Sequence, residues 1–154
     1  MVRNLLATLF IFISAYSFSQ TDETILNIYE VRIQFPVPSS EDLHRGYLDA
    51  HISSSGPLYV QIDSPEGTPW QLNIKTTDPY FSPVHYHKPH YDLLWKQHHE
   101  PDALFRPVNL QEFGVMTGTS SLRIELDFRI HLDWDDPPGE YNLDVIFELE
   151  KSDE

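Results

Sequence analysis

The sequence contains no cysteine in its 154 residues. Disulfide bonds, a cysteine nucleophile and a lipid anchor attached through cysteine are therefore excluded. Basic residues are also scarce, because 10 Lys and Arg stand against 24 Asp and Glu, a formal net charge of −14. Such an acidic chain repels nucleic acids and anionic membranes, whereas it favours cations, basic partners and solubility.

The short motifs that usually carry catalysis are missing as well. There is no Gly-x-Ser-x-Gly elbow for a serine nucleophile, and no glycine-rich loop follows a strand to hold a phosphate. Pairs of carboxylates occur only because acidic residues are abundant. We therefore expect a protein that is not an enzyme and needs no cofactor.

The only long apolar run lies at the start of the chain. Arg3 precedes an apolar stretch at 5–15, and small polar residues lead up to Gln20. The run is too short to span a bilayer, and this order of features is typical of a secretory signal peptide. We predict a signal peptide at 1–20, similar to those of Gram-negative bacteria, and a single domain at 21–154.

Removal of this leader fixes the expected location and charge of the mature protein. The mature chain would keep nine of the ten basic residues and all 24 acidic ones, for a net charge of −15. We expect it in the periplasm or on the cell surface, without membrane insertion once the signal peptide is cleaved.

The strongest structural signal is an alternation near the end of the chain. Every second residue is apolar in two runs separated by Asp-Asp-Pro-Pro-Gly-Glu: Leu122, Ile124, Leu126, Phe128, Ile130, Leu132 and Trp134, then Tyr141, Leu143, Val145, Phe147 and Leu149. A period of two indicates strands with one buried and one solvated face. Phe128 and Trp134 are accordingly predicted to lie in the core.

Shorter apolar runs with the same period precede this pair. They occupy 25–35, 46–53, 58–62, 70–75 and 92–97, and turn signals rich in proline, glycine and serine separate them. We predict an all-β fold, an antiparallel immunoglobulin-like sandwich of about seven to nine strands. One helical turn is expected at Ser39–Leu43, capped by the serine, and a long loop at 76–91.

Three short motifs carry a resemblance to known families. They are Trp70-Gln71-Leu72-Asn73-Ile74, Leu94-Trp95, and Pro138-Gly139-Glu140-Tyr141 followed by Val145, Phe147 and Leu149. Together they resemble bacterial secreted sandwiches of the spore-coat-U-like, fimbrial-subunit-like and WxL-like kinds. The resemblance implies a structural, adhesive or wall-associated role without catalysis. Tyr141 also resembles the tyrosine corner of immunoglobulin-like domains.

Histidines are concentrated in one segment of the long loop and its continuation. Five of the eight lie within 85–99: His85, His87, His90, His98 and His99. In an extended chain His85 and His87 project to the same side, so both imidazoles could reach one Zn²⁺ or Cu²⁺ ion. His90, His98 or His99 could complete the ligand set. The same segment can equally be a solvated loop, because its spacing matches no standard metal motif.

Two further groups of residues suggest binding rather than catalysis. Acidic residues around the last turn, Asp133, Asp135, Asp136 and Glu140, could hold Ca²⁺, although their spacing is not that of an EF-hand and a solvated acidic turn is the simpler interpretation. A set of aromatic residues could form a surface for a glycan or a protein, or could pack locally within the long loop, which is the simpler interpretation: Tyr59, Tyr80, Phe81, Tyr86 and Tyr91.

Two hypotheses about function remain. The first is a secreted, non-catalytic structural or binding module of the periplasm or cell surface, which contacts a protein or glycan through loops at one end of the sandwich or along a strand edge. The alternative is a periplasmic metal-binding protein that uses the His85–His99 segment.

Overall fold

A computed structural model of the chain describes residues 13–17, 27–35, 37–50, 57–82, 87–139 and 141–151. Within these ranges there are ten strands, one α-helix and two short 3₁₀ helices. The strands are β1 Ile13–Ser17, β2 Asn27–Phe35, β3 Tyr47–Asp49, β4 Leu58–Ile62, β5 Trp70–Lys75, β6 Leu93–Gln97, β7 Arg106–Pro107, β8 Phe113–Gly118, β9 Leu122–His131 and β10 Tyr141–Lys151. Helix α1 spans Ser40–Arg45, and the 3₁₀ helices span His90–Asp92 and Asp102–Leu104.

The strands form two antiparallel sheets. Sheet A has the order β1-β2-β10-β5-β8, and sheet B has the order β3-β9-β6-β7. β4 also belongs to sheet B and pairs with a different part of β9 from β3. β3 and β4 therefore share one side of β9, since β3 pairs with 129–131 and β4 with 122–126. The all-β antiparallel sandwich is confirmed, and the nine strands β2–β10 that follow the expected leader agree with the predicted number.

β9 and β10 bury most of the side chains that their alternation predicts, with Leu122 at the start of β9 as an exception, since it is 37% exposed. Ile124, Leu126, Phe128 and Ile130 are each 4% exposed or less, and the same holds for Leu143, Val145, Phe147 and Leu149. Polar residues between them point to solvent, so each strand contributes one apolar face to the core. Phe128, which is 1% exposed, is a core residue as predicted.

The prediction that Trp134 lies in the core is wrong. β9 ends at His131, and Trp134 stands in the following turn with 61% of its surface exposed. Its ring contacts the imidazole of His44 edge-on, with 4.9 Å between ring centroids. The apolar alternation in the sequence continues beyond His131, although β9 ends there. In the turn that follows, strand pairing no longer directs alternate side chains to one face of the sheet, so Trp134 can face solvent.

The predicted helical turn is present as α1. The Ser39 side chain accepts a hydrogen bond from the Asp42 amide, and the Asp42 carboxylate accepts one from the Ser39 amide, which together form a capping box. Gly46 ends the helix with φ of 78°, a left-handed conformation that glycine adopts without strain.

Part of the expected leader lies against sheet A. β1 falls within 1–20 and pairs with β2 in antiparallel register, from Ile13 opposite Val31 to Ser17 opposite Asn27. β1 is therefore the edge strand of sheet A in the full-length chain. The removal of the leader stays a prediction, and it would make β2 the edge strand instead.

Tyr141, the first residue of β10, makes the hydrogen bond that defines a tyrosine corner. Its hydroxyl donates to the carbonyl of Pro137, four residues upstream, across the 132–140 connection. The ring is buried and contacts Phe81 edge-on. This arrangement fixes the point at which the chain re-enters sheet A after β9.

Gly118, at the end of β8, is required by close packing. A Cβ atom at Gly118 would lie 2.3 Å from Cζ2 of Trp70, whose ring is buried and whose Nε1 donates to the Ser120 carbonyl. We expect Gly118→Ala to lower the free energy of unfolding by about 1–3 kcal/mol, the usual cost of overpacking. Gly114→Ala in the same strand is the matched control, because its nearest neighbour would be 3.5 Å away. Urea denaturation of both variants is the measurement, and equal midpoints would contradict the packing described here.

Candidate functional site

Exposed apolar side chains are concentrated at one end of the sandwich. We call this the loop end; its described residues are 37–46, 76–82, 87–92, 108–113 and 132–139, where β2, β5 and β9 end and β6, β8 and β10 begin. Among the described residues nine large apolar side chains are exposed, and six of them lie here: Val37, Tyr80, Tyr91, Leu110, Phe113 and Trp134. The other three, Tyr59, Leu104 and Leu122, lie elsewhere, so the loop end is the candidate site.

A cleft of about 400 Å³ opens at the loop end. Its walls are His90, Asn109, Leu110, Gln111, Glu112 and Phe113. The segment that carries most of them is tied to both sheets, because the Thr76 amide donates to the Asn109 carbonyl at 2.9 Å and the Val108 amide donates to the Leu93 carbonyl at 2.8 Å. Amide, carboxylate and imidazole groups thus stand beside two exposed apolar side chains, so the cleft offers both polar and apolar contacts.

The cleft is electronegative on the side of Glu112. The carboxylates of Glu112, Glu148 and Glu150 lie within 4.8 Å of one another. The Lys75 ammonium lies among them, 2.9 Å from Glu112 and 2.7 Å from Glu148. Hydrogen bonds from Lys75 lower the pKa of Glu112, and those to Glu148 and Glu112 raise the pKa of Lys75. Three carboxylates face one ammonium, so a net negative charge remains beside the cleft.

The structure separates the histidines predicted to bind metal. His90 precedes β6, whereas His98 and His99 follow it, and a strand of five residues spans about 16 Å. One ion with ligand bonds of about 2 Å therefore cannot bind His90 together with His98 or His99. The His98 Nδ1 atom lies 2.8 Å from Asp127 instead, and His99 is exposed.

The remaining histidines belong to the loop end. His87 is exposed, with its ring 4.9 Å from that of Tyr80. His90 contacts the Tyr91 ring, and its Nδ1 lies 3.1 Å from the Pro79 carbonyl. His85 lies outside the described residues, so metal binding by His85, His87 and His90 stays a prediction.

The predicted aromatic surface is only partly exposed. Tyr59, Tyr80 and Tyr91 are between 38% and 56% exposed, in agreement with the prediction. Phe81 is 1% exposed and packs against Tyr141, so this residue is packed in the interior and does not contribute to a surface. Tyr86 lies outside the described residues.

A second cavity, of about 280 Å³, lies on sheet B beside the gap between β3 and β4. Its charged walls include Lys96, which is 4% exposed, together with Asp127 and Arg129. The Lys96 ammonium donates to Asp127 and to the carbonyls of His98 and Glu100, at 2.9 to 3.2 Å. These three acceptors match its three hydrogens, so Lys96 serves the fold and offers no donor to a ligand.

The carboxylate of Asp127 connects this cavity to His98. Burial alone would raise the pKa of Asp127, but hydrogen bonds from Lys96 and His98 outweigh that effect, and the pKa is lowered. Arg129 behaves in the same way: burial would lower its pKa, yet hydrogen bonds to Asp49 raise it. The charged groups of the cavity are therefore engaged in ion pairs with one another.

The ammonium of a buried lysine lies against the acidic turn that follows β9. Lys88, which is 2% exposed, lies with its ammonium 2.7 Å from Asp136 and 2.9 Å from Asp92. The same oxygen of Asp136 accepts the Asp133 amide hydrogen. Asp136 is thus directed at a buried cation of the chain, which ties the 87–92 segment to the turn, and it is not arranged toward solvent as a calcium ligand would be.

Sequence reasoning missed Leu110, Glu112 and Phe113 as site residues. Leu110 and Phe113 are apolar residues, yet they are 47% and 45% exposed at the loop end. One signal could have found them: Leu110 and Phe113 are three residues apart, which breaks the period of two between Pro107 and Gly114.

Comparisons with known proteins do not identify a family for this sandwich. No family model matches the chain, and neither the curated proteins nor the solved structures include a match. In the part of the chain that the structure describes, there is no helix of the length and apolarity needed to span a membrane.

Proposed function

We propose that the protein is an exported, non-catalytic recognition module that binds its partner through the loop end. The observation that carries this proposal is the concentration of six of nine exposed large apolar side chains at that end. Exposed apolar groups lower their free energy when a partner covers them, by about 25 cal/mol for each Å² removed from water. Their grouping on a rigid sandwich therefore favours a binding surface.

The kind of partner follows from charge and surface chemistry. The chain carries a net charge of −14, which disfavours nucleic acids and anionic membranes. A protein or glycan of the cell surface fits exposed Tyr80, Tyr91 and Trp134, because aromatic side chains combine large apolar area with polar edges. The tyrosine-corner hydrogen bond supports a place among exported immunoglobulin-like surface modules.

Export is the first part of this proposal that can be tested. We expect the mature protein to begin at Gln20 or Thr21, because small residues precede that position after a short apolar run. N-terminal sequencing of the protein recovered from the periplasm or medium is the measurement. A soluble cytoplasmic form that retains Met1 would contradict export.

Recognition through the loop end is tested on whole cells. Purified, fluorescently labelled protein is added to cells from which its own gene has been deleted, and the retained fluorescence is measured after washing. We expect the Tyr91→Ser/Trp134→Ser variant to be retained about tenfold less than the natural protein, which corresponds to a loss of about 1.4 kcal/mol of binding free energy. Tyr59→Ser/Leu122→Ser is the matched control, since both residues are exposed but lie away from the loop end.

Three outcomes would contradict the recognition module. The natural protein is not retained at all, the loop-end variant is retained as well as the natural protein, or retention requires Zn²⁺ or Cu²⁺ and disappears with a chelator. The last result would favour the metal-binding alternative and would be followed by His87→Ala.

A further inference from the structure

We propose that the cleft at the loop end binds an arginine or lysine side chain from an extended basic segment of a partner protein. This inference rests on the proposed function and adds the chemistry of the partner. It combines three features of the described residues: an apolar wall, an electronegative wall and an adjacent edge strand.

The apolar wall suits the aliphatic part of a long basic side chain. Leu110 and Phe113 are close to half exposed, and both line the cleft. The Phe113 ring packs edge-on against Trp95, which is fully buried, at 6.0 Å between centroids. Phe113 is thus held in place by the core while part of its ring faces the cleft. Lysine and arginine stems cover apolar surface of this kind, and their charged groups are attracted to aromatic faces.

The electronegative wall selects a cation. Glu112 belongs to the cleft and also to the group of carboxylates that it forms with Glu148 and Glu150. Two carboxylates of this group, Glu112 and Glu148, already bind the Lys75 ammonium, so the group is suited to a cation. Because one ammonium leaves two of the three carboxylates uncompensated, a second cation is attracted and an anionic ligand is repelled.

The neighbouring strand favours a polypeptide over a sugar. Phe113 is both a wall of the cleft and the first residue of β8, which is the edge strand of sheet A next to β5. An edge strand presents backbone N–H and C=O groups that an extended segment can pair with. A segment that pairs with the first residues of β8, ahead of the Val115 carbonyl that accepts a hydrogen bond from the Gln97 side chain, would deliver one of its side chains to the cleft.

Fluorescence anisotropy with designed peptides tests this proposal. The probes are extended peptides of alternating threonine and valine, each with one central residue: arginine, lysine, citrulline or glutamate. We expect the purified exported protein to bind the arginine and lysine peptides about tenfold more tightly than the citrulline peptide. The glutamate peptide should bind most weakly, and added salt should reduce the difference between arginine and citrulline.

Variants of the cleft assign the effect to named residues. Glu112→Gln should remove most of the preference for arginine over citrulline, whereas Phe113→Leu should weaken all four peptides, and the arginine and lysine peptides somewhat more than the other two. Glu125→Gln removes one carboxylate from sheet B and is the matched control. It should change neither the preference for arginine over citrulline nor the affinity for the peptides as a group. Because Glu112 is exposed, its substitution is not expected to impair folding.

The outcomes separate this inference from the proposed function. Equal binding of the arginine and citrulline peptides, an unchanged preference in Glu112→Gln, or displacement of the arginine peptide by a neutral oligosaccharide would each overturn the basic-segment site. Retention on cells through Tyr91 and Trp134 would then still support the recognition module. If the loop-end variants also remain bound to cells, the proposed function itself is wrong.

Discussion

Replacing Lys88 by methionine should lower the free energy of unfolding by about 3–5 kcal/mol, the usual result of removing one partner of a buried ion pair. Lys88 is 2% exposed and the Asp136 side chain is 4% exposed, so the variant would leave a buried carboxylate without its cation. A loss of this size is a large part of the roughly 5–15 kcal/mol that stabilises a typical domain. Chemical denaturation followed by tryptophan fluorescence is the measurement.

Two further variants distinguish this effect from simple loss of a lysine. Lys151→Met changes an exposed lysine in the same way and should cost less than about 0.5 kcal/mol. Lys88→Met combined with Asp136→Leu removes the lysine together with its more buried partner and should recover part of the stability, because Asp92, its other partner, still loses its cation and the Asp133 amide loses its acceptor. If Lys88→Met is no less stable than Lys151→Met, the buried pair does not stabilise the fold.

Phe128→Ala should be as damaging, with a loss of about 3–5 kcal/mol, because truncation of a buried aromatic side chain removes contacts and leaves a cavity. Phe128 is 1% exposed and lies in the middle of β9. Trp134→Ala should cost less than about 1 kcal/mol, since the ring is 61% exposed and contacts chiefly His44.

The denaturation midpoints of Phe128→Ala and Trp134→Ala show whether β9 ends at His131 or continues with Trp134 buried. Glu125→Ala, on the solvated face of β9, serves as the control and should change stability little. A Trp134→Ala variant as unstable as Phe128→Ala would mean that the strand continues beyond His131 and that Trp134 is buried.

Phe128 and Trp134 also explain how far the sequence predicts this fold. Both belong to one alternating run, and the alternation correctly identifies the strand and its buried face. It does not identify where the strand ends, because that depends on which neighbours pair with it. β3 and β6 pair with β9 no further than His131. Beyond that residue the alternation no longer determines which side chains are buried, so it does not apply to Trp134.

The candidate site was less predictable, because distant segments build it. Lys88 and Asp136 are 48 residues apart, and Glu112 lies beside Glu148 only because β5 carries Lys75 between β8 and β10. The density of histidines in the sequence singles out the 85–99 segment, of which His87 and His90 lie at the loop end. That density does not reveal that β6 lies between His90 and His98, so that the length of the strand separates them.

The position of β10 has a consequence for how the protein is made. β10 is the last strand in the chain order, yet it lies between β2 and β5 in sheet A. Its pairing with β2 joins segments separated by more than a hundred residues, from Tyr141 opposite Phe35 onward. Sheet A therefore cannot close until synthesis has passed residue 151, and folding dominated by such distant pairing is slow, on the order of milliseconds to seconds. If the protein is exported as proposed, sheet A is still open while the chain passes through a secretion channel, because its central strand is the last to be made.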